Sequence, residues 1–283
     1  MDSDQLAATV DHSMRIDAGD LTCDEPGHTG GHACLPVSSG VDMDGLVKTL
    51  TKRYGSPFAP TVELPPFREQ VGWTHVWVWG KRAVVLGRGP DDGLVMAVTE
   101  RNMPRPDELP TEMSWVERLV AITGGAAPPV ISPDWLAVES RVGTSLPSDY
   151  KQIVDTFGCD GLFDVFFEVF APEELNWHAR YYAGSALAPG DEHPPFPAPG
   201  GVIPWSSNEH QETFFWITEG PDPDRWPIYA VDSLGKGSCF GCTASEFLFR
   251  QMTDPHHPFF TASDNIRGHW FMKFVRPEPR QAV

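Results

Sequence analysis

The sequence predicts an α+β chain in two parts. A small unit of helix, three-stranded meander and helix precedes a larger domain whose mostly antiparallel sheet is flanked by helices. Three observations lead there. Trp73, His75, Trp77 and Trp79 alternate with Thr74, Val76 and Val78, and two more apolar runs follow after short turns, which is the pattern of a meander. Tyr150, Ile153, Val154 and Phe157 fall at i, i+3, i+4 and i+7, a single helical stripe. Val202–Trp205, Thr213–Ile217 and Trp226–Asp232 supply three further strand candidates before a closing helical run. Strands in runs with helices grouped around them are the arrangement of α+β domains.

Residues 1–41 are rich in Asp, Gly, His and Ser, and their composition predicts a disordered acidic arm. Within it lies Cys23-x4-His28-x3-His32-x-Cys34. Two thiols and two imidazoles suit zinc in softness and number. The order and spacing fit no known zinc module, and the segment has little apolar scaffold, so the plainer expectation is a chance cluster in a flexible tail with no metal.

The first unit is expected over 42–123. Leu46, Val47, Leu50 and Tyr54 form the stripe of a helix from Asp42 to Tyr54, which Gly55 ends. Pro57, Pro60, Pro65 and Pro66 make 56–70 a loop. The tryptophan-rich strand comes next, then Lys81-Arg82 as a turn, Ala83–Leu86 as a strand, Pro90-Asp91-Asp92-Gly93 as a turn and Leu94–Thr99 as a strand. Ser114-Trp115-Val116-Glu117 is a capping box opening a helix to about Ile122. The Gly-Gly-Ala-Ala-Pro-Pro run within 124–130 reads as a linker.

In the larger domain, Ser132, Pro133 and Asp134 can open a helix that carries Trp135, Val138 and Val142 and stops at Gly143. Pro147 opens the next helix, Asp149 sits at its positive end and Gly158 stops it. Leu162–Phe170 is expected to be one strand. Pro172–Leu175 is expected to be a helical turn leading into Trp177-His178-Ala179-Arg180-Tyr181-Tyr182. The prolines and glycines of 188–201 mark an exposed loop. Gly235–Cys242 reads as a turn, Thr243 or Ser245 as the cap of a helix from Glu246 to about Met252, and 256–283 as an extension packing on the domain.

Several of these residues together carry a resemblance. Trp135-x3-Glu139-x3-Gly143-x2-Leu146-Pro147-x-Asp149-Tyr150, closing on Phe157-Gly158, resembles the SUKH superfamily, the domain of the yeast cell-wall-assembly regulator and of many bacterial toxin-immunity proteins. Val202-Ile203-Pro204-Trp205-x2-Asn208 looks like that family's mid-domain strand. The segment holding Trp216 and Trp226 looks like its central hairpin, and Ser245-Glu246-Phe247-Leu248 like its closing helix. The match spans roughly residues 131–255. It implies a non-enzymatic domain that binds a protein partner, in bacteria often a toxin such as a nuclease.

Charge fits that expectation. The net charge of −18 is divided as −8 over 1–44, +1 over 45–130 and −11 over 131–283. An acidic domain repels nucleic acid and attracts a basic protein face, although solubility alone also accounts for such charge. Glu139, Asp149, Asp160, Asp164, Glu168, Glu173, Glu174 and Glu209 are the candidate partner-binding carboxylates, set around aromatic residues as in a binding hot spot. For Asp149, helix-start electrostatics is the better expectation. Trp135, Trp205, Trp216 and Trp226 are expected in the core.

Catalytic signatures are missing from the sequence: no P-loop, no HExxH, no G-x-S-x-G. His178 with Arg180, the Asn208-Glu209-His210 segment and His256-His257 read better as packing than as acid–base groups. Cys239-x2-Cys242 follows a Gly/Ser turn and reads as structural rather than redox-active. Neither enzyme activity nor a cofactor is expected. The alternatives are a zinc or enzymatic protein using the Cys/His clusters, or a housekeeping regulator built on the same domain. Five scattered cysteines do not form a disulfide framework. No apolar run approaches ~20 residues, so no membrane span is expected. Met-Asp-Ser-Asp lacks the basic and apolar regions of a secretory signal, which leads to an expected cytoplasmic location.

Overall fold

The computed structural model describes residues 3–15, 19–26, 28, 30–38, 40–58, 71–125, 131–183, 193–260 and 268–274. The expected proline loop beyond 58, the linker beyond 125 and residues 188–192 of the 188–201 loop lie outside these residues. The fold is α+β, with two antiparallel sheets among the described residues, of four and seven strands.

The first sheet begins earlier in the chain than its composition suggests. Helix α1 (Ser3–Met14) buries Leu6, Ala7, Val10 and Met14. Strand β1 (His32–Leu35) pairs antiparallel with β4 (Leu94–Glu100), running from His32 opposite Thr99 to Leu35 opposite Met96. The described residues of 1–41 are therefore not an arm without structure, and the meander of β2 (Gly72–Trp79), β3 (Arg82–Arg88) and β4 becomes a four-stranded sheet in the order β1-β4-β3-β2. Composition misleads here because four apolar side chains on one helical face suffice to dock a short helix. Helix α2 (Met43–Tyr54) lies beside α1, capped by Asp42, whose carboxylate accepts the Gly45 N–H. Asp11 of α1 accepts the Tyr54 hydroxyl at 2.7 Å. Both helices cover Trp77, Val84, Leu86, Met96 and Val98 on one face of the sheet. The buried Arg82 guanidinium donates to the carbonyls of Ser13 and Gly19, fixing the exit from α1.

The second sheet runs β10-β9-β8-β7-β6-β5-β11. Its strands are β5 (Gly161–Phe163), β6 (Phe167–Val169), β7 (Val202–Asn208), β8 (Thr213–Ile217), β9 (Ile228–Val231), β10 (Gly237–Phe240) and β11 (Phe271–Lys273). On one face, Trp205, Phe214 and Trp216 meet α5 (Ser148–Phe157) through Tyr150 and α7 (Ala244–Thr253) through Phe247. On the other, Phe215 meets Tyr182 of α6 (Leu175–Ala183). Alternation along β8 thus assigns one helix layer to each face.

Four expectations for this half of the chain need correction. Helix α3 (Trp115–Thr123), assigned by order to the first unit, buries Val116, Leu119 and Ile122 in the second core, with Trp115 against Phe249 at 5.5 Å. Its capping box forms as expected, and Gly124 closes it in the left-handed conformation, but caps say nothing about which core a stripe enters. The run Leu162–Phe170 is a hairpin, not one strand. Asp164 and Val165 both take positive φ, and the Phe166 N–H reaches the Phe163 carbonyl at 2.9 Å, a two-residue turn of the primed kind. The Gly/Ser segment is a turn only over 232–236, where Asp232 accepts the N–H groups of Leu234 and Lys236; beyond it lies the edge strand β10.

The tail is the fourth. It does more than pack on one domain, because β11 joins β5 as the outer strand and Trp270 enters the unoccupied face of the first sheet among Val76, Val78, Ala83, Val85 and Ala97. A Cβ at Gly161 would overlap the Met272 carbonyl, so this edge is open to β11 only because a glycine stands there. Arg101 completes the joint by donating to the carbonyls of Gly80, His269 and Thr123.

Candidate functional site

The residues behind the family resemblance form the framework. Asp134, rather than Ser132, caps α4 (Trp135–Val142), and Gly143 closes it in the left-handed conformation. The Trp135 indole donates to Asp155 at 3.1 Å and meets the edge of Tyr150. Tyr150 is fully buried, and its hydroxyl donates to the Phe170 carbonyl at 2.8 Å. Leu146 is buried, Pro147 precedes α5, and Gly158 ends it with positive φ. Trp205 stacks on Trp216 at 5.7 Å, and Trp226 is buried nearby.

The eight candidate carboxylates do not form one face. Asp164 has no exposure: it accepts the Trp270 N–H at 2.9 Å and pairs with His269 Nδ1 at 2.6 Å. Its role is to hold the tail, so the expectation that it meets a partner is overturned. Asp149 accepts the Tyr150 N–H at 2.9 Å at the start of its own helix and the Ser245 N–H at 2.7 Å at the start of α7, so it serves both helix starts. Glu139 accepts the Leu146 N–H and pairs with Lys151, closing the α4–α5 corner. Asp160 is half-buried beside β11.

Glu168, Glu173, Glu174 and Glu209 are exposed. Glu168 stands opposite Ser207 in the β6–β7 ladder, and Glu209 follows the next pair, Phe167 with Asn208. Glu173 and Glu174 form the 3-10 turn that leads directly into α6.

Sequence reasoning missed what α6 presents beside them. Trp177 and Tyr181, one helical turn apart, are 60% and 55% exposed and stack on each other at 5.4 Å. Large aromatics left this open are unusual unless a surface is meant to be covered. Their i, i+4 spacing was the available signal, but it lacked a recognised helix to sit on. Asn176, Ala179 and Arg180 of the same helix line a groove whose other wall includes Val142, Gly143 and Phe196. The inner side of α6 is packing. His178 stacks flat on Phe170 at 3.6 Å, and burial pushes its pKa down to about 4, so it is neutral near pH 7. His257, among Phe240, Phe247 and Phe259, is likewise lowered to about 4 by burial. Burial pushes the Cys242 thiol up to about 12, so it is protonated near pH 7.

A second cluster lies in the first unit. The side chains of Cys23, His28, His32 and Cys34 converge, with their ligand atoms all within 4.8 Å of one another. His28 Nδ1 stands 3.4 Å from Cys23 Sγ, 3.3 Å from Cys34 Sγ and 3.3 Å from His32 Nε2. The segment expected to be a flexible tail with a chance cluster therefore brings the four residues together.

Compared with known proteins, the chain gives no significant match to any family model, curated protein or solved structure. None of the described helices is long and apolar enough to cross a membrane.

Proposed function

We propose that this protein is a non-enzymatic binding module of the immunity type, which neutralises a protein toxin by covering it. The observation that carries the reading is the open Trp177–Tyr181 stack on α6, the helix that follows directly on the exposed Glu173 and Glu174. Rigid aromatics centred in an acidic rim are the composition of an interface hot spot. A nuclease active site is basic because it holds phosphate, so such a rim would steer a nuclease toward this face and occlude it. The resemblance of residues 131–255 to SUKH domains supports the same class. The proposed place of action is the cytoplasm, where thiols stay reduced; none of the five cysteines is in a disulfide.

The test is co-expression of the full chain with the toxin domain encoded beside it. Growth should be rescued by the wild type and lost with Trp177→Ala/Tyr181→Ala, with binding weakened by about 2–4 kcal/mol per hot-spot aromatic. Rescue unchanged by that double variant would sink the assignment of this face. Absence of both rescue and binding for the wild type would sink the immunity reading.

A further inference from the structure

We propose that Cys23, His28, His32 and Cys34 form a structural zinc site that locks the N-terminal segment onto the first sheet. One atom of the cluster, His28 Nδ1, is crowded. A neutral imidazole nitrogen makes one hydrogen bond, as donor or as acceptor. Yet His28 Nδ1 has three polar atoms around it at 3.3–3.4 Å, two of them sulfurs and one a second imidazole nitrogen. Three hydrogen bonds cannot end on that one atom, whereas a cation among the four groups accepts a lone pair from each.

The distances suit that cation. Zinc bonds of about 2.0–2.1 Å to nitrogen and 2.3 Å to sulfur, set tetrahedrally, place ligand atoms roughly 3.3–3.8 Å apart. The three His28 contacts lie at the short end of that range, and all four ligand atoms lie within 4.8 Å of one another, so the wider separations close by at most about 1 Å on binding. Two thiolates balance the charge of the ion, and binding releases their two protons to solvent. Two sulfurs and two nitrogens in a tetrahedron favour zinc over the harder cations, which prefer oxygen. Four protein ligands leave no coordination position for water or substrate, so the site is structural rather than catalytic.

The local fold explains why a metal is useful here. His32 and Cys34 are i and i+2 on β1, so both project to the same side of that edge strand. Cys23 and His28 come from the preceding loop, which folds back through the Gly31 N–H to the Leu21 carbonyl and the His28 N–H to the Glu25 carbonyl. Between α1 and β1 this loop places only Leu21 in the core among its described residues. Apolar burial is therefore thin where β1 must hold against β4, and a four-point cross-link supplies what the core does not.

The experiment uses the full chain purified under reducing conditions without chelator. Elemental analysis should find about one zinc per chain. Replacement by cobalt(II) should give the intense visible bands of a tetrahedral thiolate–imidazole site. Cys23→Ser/Cys34→Ser should lose the metal, Cys239→Ser/Cys242→Ser should keep it, and His28→Cys should retain a site with altered cobalt bands. Stripping zinc from the wild type should speed amide exchange in residues 32–35 and 96–99 by roughly tenfold or more while sparing the second sheet. The wild-type cobalt spectrum needs no variant to fold. A chain with no zinc and no tetrahedral cobalt spectrum would overturn the proposal, as would metal loss caused by Cys239→Ser/Cys242→Ser instead.

Discussion

Replacing Asp164 separates the tertiary structure from the acidic-face expectation most sharply. Its carboxylate is fully buried and holds two groups of the tail, the Trp270 N–H at 2.9 Å and His269 Nδ1 at 2.6 Å. Burial lowers the Arg101 pKa to about 10 even with the Asp164 charge raising it. Each hydrogen bond to a charged group contributes about 1.5–3 kcal/mol, and removing one partner of a buried ionic cluster costs about 3–5 kcal/mol. Asp164→Asn keeps the size, tolerates the φ of 52° and can still accept from Trp270, so it should cost about 2–3 kcal/mol. Asp164→Ala should cost about 3–5 kcal/mol, a fall in Tm of order 10 °C. The loss should be seen first at β11, where a 3 kcal/mol drop in local stability speeds amide exchange about a hundredfold. The assay is urea denaturation combined with hydrogen exchange read over residues 268–274. If Asp164→Ala left midpoint and exchange unchanged but weakened partner binding, Asp164 would be a surface residue and the account of the tail would be wrong.

Three other predictions rest on different contacts. Leu6→Ala should destabilise the chain by about 2–5 kcal/mol, because Leu6 is fully buried; an unchanged urea midpoint would restore the disordered arm. His178 and His257 have folded pKa values depressed to about 4 from 6.5, so between those values the unfolded chain binds more protons. Their contribution is complete above pH 6.5 and is lost as pH falls toward 4. His178→Phe/His257→Phe should therefore flatten the pH dependence of the denaturation midpoint across that window, and an equally steep profile would refute it. Mass spectrometry after brief iodoacetamide treatment at pH 8 should find Cys239, which is exposed, alkylated well before Cys242, whose thiol is raised to about 12 by burial; equal labelling would contradict that burial.

Much of the α+β fold was legible in the chain. Helices α2 and α3 announce themselves through a cap, a stripe and a stop, α5 through a stripe and a glycine stop, and α7 through a cap and a stripe, all within a dozen neighbouring residues. Strands β2, β3, β4, β7 and β8 show as apolar runs between turn residues. The misses share a cause. The pair Asp164-Val165 is a poor turn by composition, and its carboxylate is bound by residues about a hundred positions away. Among the candidate site residues, the exposed glutamates near α6 were legible by charge, whereas Trp177 and Tyr181 needed the helix that places them side by side. The four Cys/His residues were visible by type, but their convergence depends on β1 finding β4.

Sequence alone determined the periodicities: which faces are apolar, where helices begin and end, and where acids outnumber bases. Only the tertiary structure decided that α3 enters the second core, that Asp164 is internal, that Trp270 bridges the sheets and that the N-terminal segment folds. The physical reason is range. Caps and stripes depend on neighbours a few residues apart, whereas burial of a side chain depends on which distant surface reaches it first, and a single chain read in order does not record that.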